Sequence, residues 1–413
     1  MTLFNIFAIV ITFAAILSYL NLRYVRLPNA IGLMFISLLA SIGLLILGKL
    51  FVGIERQAYV LLQGIDFQKI LLQGMLGFLL FAGALHVNLN DLLGQKGIIS
   101  LLATFGLACS TAIIGALCWI AFSVIGLEVS FVYCLLFGAL ISPTDPIAVM
   151  AILKTAGAPK SVETKIVGES LFNDGVGVVL FLVLLSIASG AHEINVWDIG
   201  VLLGKGTLGG IVLGLITGGI AFLLLKSVEN YHVEILITIA LVMGSYAIGD
   251  VFHFSGPIAV VVAGLLIGNH GRLLAMSEET RVRLDMFWET IDEILNTILF
   301  VLIGLEVLVL TLLPKYIAAG LLAIPIVLLA RFISAGIPVL LLKPFRPFSR
   351  NIIRILTWSG IRGGISVAMV LSLPPGHQRD LLLVVTYLVV ISSIAAQGLT
   401  VGKLVRRSYN VQL

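Results

Sequence analysis

The feature that most restricts this chain is a succession of uncharged apolar runs, each about 20 residues long, parted by short polar breaks. A run of that length spans a bilayer core as a helix. In hydrocarbon only a helix or a closed barrel satisfies its own backbone. The 413-residue sequence is 60% hydrophobic and 11% charged, against about 25% charged in an ordinary soluble domain. Soluble enzymes, nucleic-acid binders and disordered scaffolds are excluded together. The net charge of +4 is spread over loops and makes no basic patch for nucleic acid. Cys109, Cys118 and Cys134 sit inside apolar runs without disulfide or metal spacing, and read as packing residues. The expectation is an all-α polytopic membrane protein with the lipid bilayer as its surroundings and no cofactor.

Parsing at charged and Pro/Gly breaks predicts about thirteen spans, near 3–21, 29–50, 67–88, 97–124, 130–153, 163–189, 197–225, 233–249, 256–270, 290–311, 316–342, 351–373 and 381–402. The first run has no basic residue before it and no small-x-small cleavage site, so it reads as a retained helix. With this parse one side of the membrane receives sixteen of the 25 Lys and Arg residues, among them Arg23, Lys96, Lys160, Arg272, Lys343 and Arg406. The other side receives five: Lys49, Arg56, Lys69, Lys315 and Arg379. Cytoplasmic loops carry the excess of basic residues. The predicted layout is therefore a cytoplasmic-membrane protein with its N-terminus outside and its C-terminus in the cytoplasm.

An ionisable group in hydrocarbon costs at least ~2.5–3.5 kcal/mol, so each one within a span needs a reason. Asp145, Glu169, Asp174, Arg331, Arg354 and Arg362 fall within predicted spans. Two stretches concentrate them. In Ser142-Pro143-Thr144-Asp145-Pro146 the prolines remove backbone donors and disfavour helix before them. Groups freed at that depth need protein, water or an ion as partner. One reading is a proline kink with Asp145 capping the second half-helix; an ion site at the break is compatible with it. In Gly168-Glu169-Ser170-Leu171-Phe172-Asn173-Asp174-Gly175, Ser170 and Asp174 share one helical stripe with Asn173 beside it. Hydroxyl, amide and carboxylate oxygens there suit a hard cation such as Na+. A polar interhelical cluster that holds the bundle together is the competing reading for Glu169 and Asn173.

A third stretch, Trp358 to Ser366, sets three glycines and Arg362 in the middle of the twelfth span. Two interrupted segments in corresponding halves point to an inverted-repeat transporter with its site at the midplane. Arg362 is always charged and needs a buried acid; Glu169 is the expected partner, in a structural ion pair that leaves Asp174 and Asp145 for transport.

Thr144-Asp145-Pro146, the run GESLFNDG, the Gly-Ile-Arg-Gly segment and FWETIDEILNTILFVLIGLE (Phe287–Glu306) together resemble the NhaP-type sodium/proton antiporters, relatives of the animal sodium–proton exchangers. The likeness runs from the third span to Gln397-Gly398-Leu399-Thr400. It implies a fold of 13 helices with two crossed discontinuous ones. It also implies a core part near 97–189 and 316–402, a dimerisation part near 1–88 and 197–311, and a homodimer. Residue by residue, it implies Asp174 as the carboxylate that binds cation or proton in turn, with Asp145 and Ser170 as further Na+ ligands. The Thr144 main chain would add a ligand and Asn173 would hold the site. Through the resemblance, Asn-Asp at 173–174 implies exchange of one cation for one proton without net charge movement, as expected of family members with that pair. One departure is visible: many relatives carry an acid in the stretch matching Phe81–Leu85, and here there is none. His86 and Asp91, the nearest polar side chains, read as surface residues.

The proposed chemistry is competition. A carboxylate in a low-dielectric interior is stabilised by neutralisation, which a proton and a desolvated cation each supply while excluding the other. An anion or organic-solute carrier on a related fold is the alternative; half-helix N-termini attract anions, but two carboxylates at the site oppose one. An intramembrane enzyme finds no support, since the polar midplane spans contain no histidine.

Overall fold

The computed structural model describes residues 3–50, 69–190, 196–306, 310, 312–345, 348–349 and 351–409. Arg56, Arg346 and Arg350 of the charge census, and the end of the tenth predicted span, lie outside the described residues. The described chain is helical throughout: α1 Leu3–Leu20, α2 Asn29–Leu50, α3 Leu76–Leu85 and the short α4 Leu89–Gly94. Next come α5 Lys96–Val124, α6 Phe131–Ile141, α7 Pro146–Thr155, α8 Lys160–Ala188, α9 Val196–Lys226 and α10 Tyr231–Phe252. The last are α11 Gly256–Leu274, α12 Glu278–Glu306, α13 Pro314–Leu342, α14 Ile352–Trp358, α15 Gly364–Leu371 and α16 His377–Tyr409. Among the described residues eight helices are long and apolar enough to cross a membrane.

Local chemistry sets where they begin. Asn230 caps α10 by accepting from the His232 and Val233 amides at 3.0 and 3.4 Å. Ser255 caps α11, accepting from the Ile258 amide at 3.3 Å, with Pro257 in the first turn where no amide donor is missed. α10 ends on His253 in the left-handed conformation (φ 58°), its amide bonded back to the Asp250 carbonyl. Two prolines lie inside α13, a substitution pattern that membrane helices tolerate. α12 begins about three turns before the predicted tenth span, because its charged first turns, Glu278 to Asp285, conceal the helix from a hydropathy reading.

Two predicted spans are each two half-helices. The fifth divides into α6 and α7 around Ser142–Asp145, and the twelfth into α14 and α15 around Ser359–Gly363. The helices form two packed groups. In one, α5 packs on α6 and α13, α8 on α6, and α16 on α13 and α15. In the other, α11 packs on α3, α9 and α10, and α12 on α1, α2 and α3. α8 also touches α9 and α11 and so runs between the groups. α12 is pinned: the fully buried Trp288 ring lies 4.7 Å from that of Phe81 and donates to Thr238 at 3.1 Å, and Ser41 donates to the Gly304 carbonyl at 2.8 Å.

Segments assigned to one membrane side also meet. Lys160 pairs with Asp91 at 2.7 Å, and Asn269 bridges the Val87 carbonyl and the Leu89 amide at 2.9 and 2.8 Å. Tyr316 and His377, assigned to the other side, hydrogen-bond at 2.8 Å.

α6 lies against α5 so closely that any side chain at Gly138 would enter the Thr111 backbone carbonyl. Gly138→Val is expected to destabilise the bundle by roughly 1–3 kcal/mol through overpacking, read as a lower unfolding temperature of the purified protein in detergent. An unchanged unfolding temperature would contradict this packing.

Candidate functional site

The two helix breaks face each other. The Asp145 amide donates to the Ile361 carbonyl at 2.8 Å, which ties one break to the other through the backbone. Gly363 is needed at this contact: a Cβ there would come 2.6 Å from the Asp145 carboxylate. Ending α6 and α14 in mid-bundle frees their last carbonyls, and two arginines take them. The Arg362 guanidinium donates to the Ser142 carbonyl and, at 2.9 Å, to that of Pro143. Arg331, from α13, donates through Nε to the Leu356 carbonyl at 3.2 Å. A cation at a helix C-terminus also opposes the negative end of the helix dipole.

This arrangement corrects the expected ion pair. Glu169 is held in a two-pronged pair by Arg331, with one contact at 2.9 Å, while Arg362 reaches the α6 carbonyls instead. The reason is directional: Arg362 lies within the second break and points across to the first, whereas Arg331 approaches α8 from α13. All three side chains are buried. Helical phase alone does not say which of two buried arginines meets an acid. Arg354, also counted among the intramembrane charges, is exposed in the first turn of α14.

Behind the breaks lies a polar knot. Thr144 and Ser170 hydroxyls are 2.8 Å apart, and the Asn173 amide brackets Thr144, donating to its hydroxyl at 3.1 Å and accepting from its backbone amide at 3.4 Å. Asn173 thus fixes the first break onto α8. In front of the knot a narrow cleft of about 50 Å3 opens, lined by both Asp145 and Asp174. Asp174 is 2% exposed and close enough to Asp145 for their charges to oppose each other. Of the sequence candidates, therefore, Asp145 and Asp174 face the cleft, while Thr144, Ser170 and Asn173 bond among themselves behind it. Ser366, from α15, and Asn296, from α12, also line the cleft and were not singled out from the sequence. Gly83 stands on the α3 wall, within the stretch where the acid of many relatives is missing. His86 and Asp91 lie away from the cleft, Asp91 in its pair with Lys160.

A family model described as sodium/hydrogen exchanger, transmembrane, matches residues 9–407. The chain belongs to the sodium/hydrogen exchanger family. Its members are secondary transporters and not enzymes. The exchanger is 48% identical to the Na(+)/H(+) antiporter NhaP of Pseudomonas aeruginosa over 98% of this chain and 97% of that one. It is 32% identical to the Na(+)/H(+) antiporter NhaH of Halobacillus dabanensis over 93% of each. Its fold matches that of the sodium proton antiporter MjNhaP1 from Methanocaldococcus jannaschii with a TM-score of 0.77, at 18% identity and 98% coverage of both chains.

Removing one partner of a buried ion pair leaves an uncompensated charge and costs about 3–5 kcal/mol. Arg331→Gln is therefore expected to destabilise the exchanger by about that much. In double-mutant cycles measured by unfolding, Glu169→Gln should couple more strongly to Arg331→Gln than to Arg362→Gln. The reverse order would restore the Glu169–Arg362 pair.

Proposed function

We propose that this exchanger moves one monovalent cation, Na+ or its neighbours Li+ and K+, against one proton across the cytoplasmic membrane, with Asp174 holding either in turn. The observation that carries the reading is the pair of carboxylates, Asp145 and Asp174, that share one cleft. Glu169 is matched by Arg331, and Arg362 reaches the α6 carbonyls, so neither guanidinium lines that cleft. Two carboxylates whose charges oppose each other are relieved by one proton or one monovalent cation. An empty site would carry both charges past an apolar barrier, which is unfavourable. Coupling then needs no covalent step.

Asp174 and Asp145 supply the carboxylate oxygens. Ser170 and the Thr144 main chain become ligands when the cation draws the hydroxyl pair apart, and Asn173 holds Thr144 while that happens. Glu169, Arg331 and Arg362 keep the two breaks in register.

Thirteen spans with the two discontinuous ones crossing at the site, the N-terminus outside and the C-terminus in the cytoplasm, agree with the basic-residue bias. The α5–α8 and α13–α16 group serves as the moving core, and the group around α3, α9, α11 and α12 as the scaffold of a homodimer. The role in the cell is pH and sodium homeostasis. The anion carrier loses ground, because the cleft presents two carboxylates and no cationic side chain among its lining residues.

The test uses proteoliposomes with an acidic interior. Adding Na+ or Li+ outside should raise internal pH at a rate insensitive to a potassium–valinomycin voltage clamp, and Asp174→Asn should abolish the response. K+ is assayed separately, without valinomycin. Full exchange by Asp174→Asn would remove Asp174 from its role. A rate that scales with voltage would contradict one-for-one exchange, and no response to any cation would favour the anion carrier.

A further inference from the structure

One polar side chain of the cleft, Asn296, is left unused by this scheme, and it ends a polar stripe. On α12, Asp285, Glu289, Asp292 and Asn296 recur at spacings of four, three and four. At 100° per residue they occupy a sector of about 60°. One end of the stripe is engaged: Asp285 pairs with Arg272, and His86 Nε2 lies 3.8 Å from Asp285 and 3.7 Å from Glu289. The other end differs.

Asn296 is 8% exposed and lines the cleft that holds Asp145 and Asp174. Its Nδ2 donates to the Asp292 backbone carbonyl at 2.8 Å. A carbonyl only accepts, so this bond fixes which end of the amide is which and leaves Oδ1 turned away from it. That buried Oδ1 has no hydrogen-bond partner. The Asn296 side chain also hydrogen-bonds the Asp292 carboxylate one turn back, which leaves Asp292 Oδ1 buried without a partner and within electrostatic reach of Asp145. Buried oxygens are rarely left without partners. Both atoms are acceptors, so what satisfies them is a donor or a cation. The α3 side of the cleft offers only Leu76, Leu79, Leu80 and Gly83.

We propose that Asn296 Oδ1 and Asp292 Oδ1 form a relay site for the transported monovalent cation on its way to Asp145 and Asp174. The proposal rests on the cation-exchange reading above. An amide carbonyl and a carboxylate, one turn apart on a pinned helix, are the oxygen ligands a hard alkali ion takes. Asp292 draws the ion in by charge, and Asn296 replaces part of its water before it meets the deeper carboxylates. Asn296 does not titrate. Its oxygen therefore contributes to cation affinity and not to proton affinity, which separates this role from that of Asp174.

The experiment measures initial exchange rates in proteoliposomes against Na+ concentration, together with the pH profile at saturating Na+. Asn296→Leu is expected to raise the apparent KM for Na+ about tenfold, equivalent to about 1.4 kcal/mol, exceeding any fall in the saturating rate and leaving the midpoint of the pH profile in place. Asn296→Asp keeps an oxygen there and should hold the KM near that of the wild type. Asp292→Asn, which preserves shape, should raise it in the same direction and covers the case in which Asn296→Leu does not fold. A KM unchanged in Asn296→Leu and Asp292→Asn, or a loss of rate without a change in KM, would overturn the relay while wild-type exchange still upholds the antiport reading. Absence of cation exchange by the wild type would overturn both.

Discussion

The structure depends on what happens to backbone carbonyls freed in the middle of a membrane. Water is not there to take them, and lipid cannot. Ending α6 and α14 in mid-bundle exposes two sets, and Arg362 and Arg331 cover one each. Those guanidiniums bring charge into the interior, and the charge has to be answered in turn. Glu169 answers Arg331 directly. Asp145, at the first break and tied by its amide to the second, faces the cleft beside Asp174. The broken helices thus draw the charged side chains together and leave Asp145 and Asp174 on the cleft.

The polar knot explains how such a site keeps its shape. Thr144, Ser170 and Asn173 are each buried and bonded to one another, so the break is fastened to α8 by side chains that need no ion. Within the run GESLFNDG the residues divide by what they touch: Ser170 and Asn173 bond to Thr144, and Asp174 faces the cleft.

Much of this was legible in the sequence, for a physical reason. Charges inside apolar runs are costly enough that each one announces itself, and Asp145, Asp174, Glu169, Arg331 and Arg362 were all visible that way. The two breaks were visible because proline and glycine clusters leave few helical alternatives. The pairing of Glu169 was not, since Arg331 and Arg362 lie 31 residues apart in sequence and only the packing of α13 on the breaks decides between them. Asn296 escaped notice for a different reason. It is uncharged, and it follows a segment so rich in acids that the start of α12 itself was placed too late. Arg354 differs from the other intramembrane charges in that it lies exposed in the first turn of its half-helix.

The central claim is that one carboxylate holds either a proton or a cation. The most direct measurement is the proton released when Na+ is added to the purified exchanger in weakly buffered detergent solution, together with the Na+ bound. The account predicts one proton released for each Na+ bound, and no release from Asp174→Asn. Binding without proton release, or release that survives in Asp174→Asn, would contradict it.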